Sequence, residues 1–203
     1  MSSGEPLAPV DLDSDQFREL GHRLVDRIAD FLASLPSRPV TVAASPSDVR
    51  KGLPSENRLR DAGTDPGPLL EEITDHLFAK SLFNGHPRFF GYITSSAAPV
   101  GILGELLAAA VNPNVGARIL SPVATEVEAQ TVRWIADLVG APTTCGGLLV
   151  SGGNMANIVC FLAARTSKAS WDVRKTGVRG SGRALTAYGS TETHTWIEKA
   201  ADL

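Results

Sequence analysis

The sequence predicts an α/β protein with a largely parallel sheet, preceded by a helical segment. Three observations predict this. An apolar stripe recurs at spacings of three and four through residues 14–35. Short apolar runs at 147–150 and 185–188 each pass through glycine and hydroxyl residues into a helical pattern. The chain has 203 residues, enough to bury a core without disulfide or metal staples. Composition narrows the classes further. With 43% hydrophobic and 20% charged residues, wholesale disorder is excluded. A net charge of −3 argues against a general nucleic-acid binder. No apolar run approaches the ~20 residues needed to cross a bilayer, so no membrane partner is expected. The polar start MSSGEPLAPVDLDSD lacks the basic and apolar regions of a secretory signal. Cys145 and Cys160 have no zinc spacing and are expected to be free, buried thiols, consistent with a reducing cytoplasm.

The elements follow in order. Residues 1–13 read as a loose tail. Asp13 or Ser14 is placed to cap a first helix, whose stripe is Phe17, Leu20, Leu24, Ile28, Phe31 and Leu35 and which Pro36 ends. So wide a stripe must lie on something, either the body of the chain or another subunit. Six prolines within 36–68 mark an extended linker. A second helix is expected from Pro68 to Lys80, with Leu69, Leu70, Ile73, Leu77 and Phe78 inward. A third is expected over Pro99–Val111, breaking at Asn112-Pro113-Asn114. Ser121-Pro122 opens a fourth, with Ser121 as side-chain cap, Glu126 and Glu128 near the positive end of the helix dipole, and Val127, Trp134, Ile135 and Leu138 on the buried face. Gly140 stops it. Gly147–Val150 is a strand leading through Ser151-Gly152-Gly153-Asn154 into a helix from Met155 to Thr166. Residues 167–183 read as a basic loop containing Lys168, Arg174, Lys175, Arg179 and Arg183. Leu185–Tyr188 is a second strand, turning at Gly189-Ser190 into a helix that carries Thr193, His194 and Glu198.

Two places carry chemistry. In LLVSGGNMAN, two glycines and an amide stand where a strand hands over to a helix. Unpaired N–H groups and the helix dipole favour an anion there, and glycines let a phosphate approach the backbone. The pattern matches neither the P-loop nor the dinucleotide fingerprint, and a tight turn that binds nothing fits it equally well. In AYGSTETHTWIEKAADL, His194 stands beyond the carboxyl end of a strand, where α/β sheets bind ligands. An imidazole there can stack on a flat ring or transfer protons; a helix histidine without a task is the plainer alternative. His22 and His76 read as structural histidines on amphipathic helices.

Taken in order, HPRFFGYITS, SPVATEVE, LLVSGGNMANIVCFLAART and AYGSTETHTWIEKAADL resemble the group II pyridoxal-phosphate-dependent amino-acid decarboxylases. The resemblance spans roughly residues 15–203. It implies the N-terminal part of a fold-type I large domain over 85–203, preceded by a dimer-facing helical segment and linker over 1–84. It implies pyridoxal 5'-phosphate as cofactor, an L-amino acid as substrate and a cytoplasmic homodimer. Gly153 and Asn154 match positions that hold the cofactor phosphate, and Ser95 matches a hydroxyl position near it. His194 matches the histidine that stacks on the pyridine ring and assists proton transfer. Tyr92 and Ile93 match a loop lining the substrate pocket, mildly apolar and leaning towards an aromatic amino acid. Phe89 and Phe90 are expected to wedge the core beneath that loop.

The family's cofactor-bound lysine and ring-nitrogen aspartate belong to segments absent from this sequence. The lysines present are Lys51, Lys80, Lys168, Lys175 and Lys199, none in the family's context. The chain is therefore expected to be the N-terminal portion of a decarboxylase, inactive alone. Two alternatives stand beside this: a non-catalytic dimerisation module, and a different phosphate-binding α/β protein.

Overall fold

The computed structural model describes residues 11–53, 63–180, 182 and 184–202. Most of the expected N-terminal tail, Pro54 of the linker and Arg183 lie outside the described residues. The chain divides into two compact units, Met1–Ala110 and Val111–Leu203.

In the first unit, α1 (Ser14–Ser34) opens on a complete capping box. The Asp13 carboxylate accepts from the amides of Asp15 and Gln16 at 2.9 and 2.8 Å, and Gln16 reaches back to the Asp13 N–H at 3.3 Å. A 3-10 turn at Leu35–Ser37 follows, with Pro36 inside it. The short α2 (Pro46–Arg50) is capped by Ser45. Then α3 (Pro66–Lys80) starts two residues before the expected Pro68, because Asp65 accepts from Gly67 N–H at 2.9 Å and Pro66 takes the first helical position.

Arg23–Glu71 and Arg27–Asp75 ion pairs join α1 to α3 at the surface, where such pairs contribute little. The stronger join is aromatic. Phe31 stacks on Phe78 with centroids 4.1 Å apart, and Phe83 meets Phe31 edge-on at 5.4 Å. The Arg38 guanidinium lies over Phe31 and Phe83 and donates to Ser34 Oγ at 2.7 Å and the Phe78 carbonyl at 2.8 Å. Leu35 and Phe83 are buried beside it. The expected inward set is corrected in part, since Phe17, Leu69 and Leu77 are exposed. The unit's last helix is α4 (Pro99–Val111), ended by Asn112 at φ +45°.

In the second unit, α5 (Pro122–Leu138) has Ser121 as N-cap, but the Ser121 side chain makes no cap bond. The helix ends in a Schellman motif. Gly140, at φ +70°, donates to Asp137 O, and Ala141 donates to Ala136 O. Val127, Trp134, Ile135 and Leu138 are exposed, contrary to the expected buried face. The covered stripe is instead Thr125, Glu128, Ala129, Val132 and Ala136. Close backbone approach explains this: a Cβ on Gly147 would meet Val132 Cγ1 at 2.7 Å, so only glycine brings the chain this near. Nor do Glu126 and Glu128 sit in the first turn of α5. Glu126 pairs with Arg118 at 2.5 Å, and Glu128 accepts from Leu149 N–H at 2.7 Å.

Beyond these come α6 (Gly153–Lys168), α7 (Val173–Thr176) and α8 (Trp196–Ala201). The basic loop thus contains one helical turn, capped by Asp172. Among the described residues no strand ladder forms, and residues 147–150 and 185–188 run without a pairing partner. A strand exists only by pairing, and these two segments do not pair with each other. Both cysteines are free but exposed, a correction to the expected burial. Among the described residues no helix is long and apolar enough to cross a membrane.

Candidate functional site

The start of α6 is built by glycine. Gly152 sits at φ +94° and ψ 164°, a conformation open essentially to glycine alone. Its N–H bonds back to Val150 O at 2.9 Å, which turns the chain sharply into the helix. No side chain caps α6, so its first N–H groups point outward without an intrahelical partner. A Cβ built on Gly152 or Gly153 meets nothing within 4 Å, so the mouth is open. Asn154, on the first turn, is exposed beside it. Unpaired donors, a positive dipole end and open space suit the phosphate of pyridoxal phosphate.

His194 is not in a helix. The chain turns at Ser190–Thr193, where Ser190 N–H donates to Thr193 Oγ1 at 3.0 Å and Thr193 N–H to Ser190 O at 3.0 Å. The Thr193 hydroxyl satisfies the Ser190 amide locally, and the turn delays the helix to Trp196. His194 therefore lies exposed in the turn ahead of α8, with Nδ1 accepting from Trp196 N–H at 3.4 Å. That leaves Nε2 to carry the ring proton in the neutral form.

The turn is tied to α6 through α8. Trp196 meets Phe161 of α6 edge-on at 6.2 Å. Ala200 and Ala201 share a cavity of about 460 Å³ with Ala164, Arg165 and Lys168 further along α6. Both contacts fall on the second half of α6, so α8 packs there, and His194 stands two residues before Trp196. Lys168 ends α6, about 22 Å from its start at 1.5 Å per residue.

The other expected residues occupy one loop of the first unit. Tyr92 has φ +59°, rare for a bulky residue, and its side chain is 88% exposed. Ile93 is fully exposed. Ordinary core packing is therefore not what holds Tyr92. Ser95 lines a cavity of about 680 Å³ with Phe31, Phe78 and Phe83. Phe90 is exposed, so it does not wedge the core; the buried Phe83 does. One residue escaped the sequence reading. His86 is buried, and both its ring nitrogens are engaged, with the Arg38 carbonyl and the Arg88 amide. Its signals were its position inside the turn Asn84-Gly85-His86-Pro87 and at the head of the motif HPRFFGYITS.

Known proteins of related sequence and shape include decarboxylases and aldehyde synthases. The chain is 29% identical over 191 residues to an aromatic-L-amino-acid decarboxylase of Bacillus atrophaeus, covering 94% of this chain and 38% of that protein. It is 32% identical over 195 residues to a tyrosine decarboxylase of Oryza sativa subsp. japonica, covering 94% and 36%. The crystal structure of Catharanthus roseus tryptophan decarboxylase in complex with L-tryptophan superposes with a TM-score of 0.78 at 26% identity, covering 95% of this chain and 41% of that one. Rhodiola rosea 4-hydroxyphenylacetaldehyde synthase gives 0.76 at 27%, covering 96% and 41%. The chain thus spans about two fifths of the length of these relatives. Residues 46–203 match the model of the pyridoxal-dependent decarboxylase conserved domain, and the chain belongs to that family.

Proposed function

We propose that the chain is the N-terminal portion of a pyridoxal-phosphate-dependent decarboxylase of aromatic L-amino acids. The observation that carries this is the uncapped, glycine-built start of α6, joined through α8 to the turn bearing His194. Family membership removes the alternative of an unrelated phosphate-binding protein. The decarboxylases of aromatic amino acids among the relatives, with the apolar loop at Tyr92 and Ile93, support an aromatic substrate.

Each residue has one task. The N–H groups at Gly153 and Asn154 hold the phosphate, and the resemblance gives the Ser95 hydroxyl a phosphate-side role as well. The His194 ring fixes the plane of the cofactor ring and holds a proton at Nε2 for transfer. Tyr92 and Ile93 wall the substrate side chain and exclude water. When bound, pyridoxal phosphate supplies an electron sink for the pair left as carbon dioxide departs.

The finer architecture belongs to the same proposal. Residues 85–203 begin an α/β large domain in which the segments 147–150 and 185–188 become strands once neighbours pair with them. Residues 1–84 face a second copy in a cytoplasmic homodimer. An apolar groove of about 810 Å³, lined by Phe17, Leu24, Val25, Leu69 and Ile73, supports that surface.

Activity requires the missing lysine segment. Co-expression with a C-terminal half that carries it should give release of carbon dioxide from an aromatic L-amino acid. A folded complex that stays inactive overturns the proposal. The phosphate site is tested on the chain itself by Gly153→Ala, which adds a methyl in open space. Its stability should be unchanged, while pyridoxal-phosphate affinity falls about fivefold or more; equal affinity removes Gly153 from the site.

A further inference from the structure

We infer that His86 is a positioning residue, a two-ended staple that sets the loop carrying Tyr92 and Ile93. This rests on the proposed role of that loop as the substrate wall. His86 is 3% exposed. Its Nε2 lies 2.9 Å from the Arg38 carbonyl, and its Nδ1 lies 3.0 Å from the Arg88 amide nitrogen. A carbonyl only accepts and an amide N–H only donates. The ring is therefore the neutral tautomer with its proton on Nε2, and both ends are used.

The two ends differ in what they hold. The Arg38 end is fixed, because its side chain is tied to Ser34, to the Phe78 carbonyl and to the rings of Phe31 and Phe83. The Arg88 end leads into the loop. Two consecutive turns carry the chain there, His86 N–H to Phe83 O at 3.0 Å and Phe89 N–H to His86 O at 2.9 Å. Six residues after His86, Tyr92 sits at φ +59° with its side chain in solvent. A disfavoured backbone persists only where its surroundings impose it, and packing of the Tyr92 side chain does not. His86, with the Phe89 ring against Gly91, supplies that constraint.

The test separates the two bonds. Asparagine places an acceptor near the position of Nδ1, and glutamine places a donor near that of Nε2. In the 203-residue chain, His86→Ala should speed exchange of the Arg88 amide about tenfold. It should also drop the backbone order parameter of Tyr92 from about 0.85 to below about 0.6. His86→Asn should restore protection of the Arg88 amide but not the order of Tyr92, because the Arg38 end stays untied, whereas His86→Gln should leave both as in the alanine variant. Equal behaviour of all three variants, or no change at Arg88 and Tyr92, overturns the inference. If the variants lose their helical circular dichroism, the 15N spectrum of the wild-type ring decides. Protonated Nε2 with bare Nδ1 supports the staple, and the opposite tautomer or a charged ring overturns it. These signals need neither cofactor nor substrate. An inactive reassembled enzyme with an intact staple would therefore sink the substrate wall alone.

Discussion

Around Arg38 the chain satisfies itself. The guanidinium donates to Ser34 and Phe78, covers two rings, and lies between helices whose caps are complete. Around the start of α6 the chain does the opposite. Its N-terminal donors have no cap, Gly152 holds a conformation other residues avoid, and the preceding apolar segment has no ladder. Leu148 and Leu149 are exposed there. The first region gains its free energy from contacts already made. The second keeps unmet donors and apolar surface, as a ligand mouth and a sheet edge do before their partners arrive.

That contrast can be broken at several points. The largest effect is expected from Phe31→Ala, which removes a stacked ring and one wall of the Arg38 site. It should cost about 2–3 kcal/mol, read as a lower urea midpoint at unchanged slope. An unshifted midpoint would mean the aromatic join is not what holds α1 to α3. Next is Gly152→Ala. Space is open, so any cost comes from backbone strain alone, about 1–2 kcal/mol. A negligible cost would show that the turn relaxes and that the second region is less constrained than its dihedrals say. Asp13→Ala should cost about 1 kcal/mol by opening the capping box, measured by thermal melting.

The smallest effect is a pH response at α2. Hydrogen bonding from the Ser45 hydroxyl, then Lys51, holds the Asp48 carboxyl below the usual carboxylate range. A lowered folded-state pKa adds stability at higher pH, and the addition is lost as pH falls through the lowered value. Exchange of the α2 amides should therefore quicken only in strong acid, and Asp48→Asn should abolish that step. The site is exposed, so the change should be slight.

Helix ends were legible where one local residue decides them, as Asp13 does at the start of α1 and Gly140 at the end of α5. Ser45 and Asp65 cap helices that begin inside the stretch expected to be linker, and Ser121 makes no side-chain cap bond. The buried face of α5 was not legible from periodicity. Trp134 and Leu138 form the larger apolar stripe, yet the small-residue face is the covered one because Gly147 allows backbone contact there. The His194 helix was misplaced because apolar spacing ignores the Thr193 hydroxyl, which accepts from the Ser190 N–H and holds a turn there. The expected site residues follow the same division. The glycine turn into α6 was visible in SGGN, while the packing of α8 on α6 depends on a contact between Phe161 and Trp196, 35 residues apart in sequence.

The hydrogen bond from Leu149 to Glu128 has a consequence for assembly. Successive amides of a strand face opposite edges. The carboxylate on α5 already occupies the edge that Leu149 presents, so an arriving strand would meet available donors first at Leu148 and Val150. One acidic side chain would thus decide which edge of this segment is open to a pairing strand.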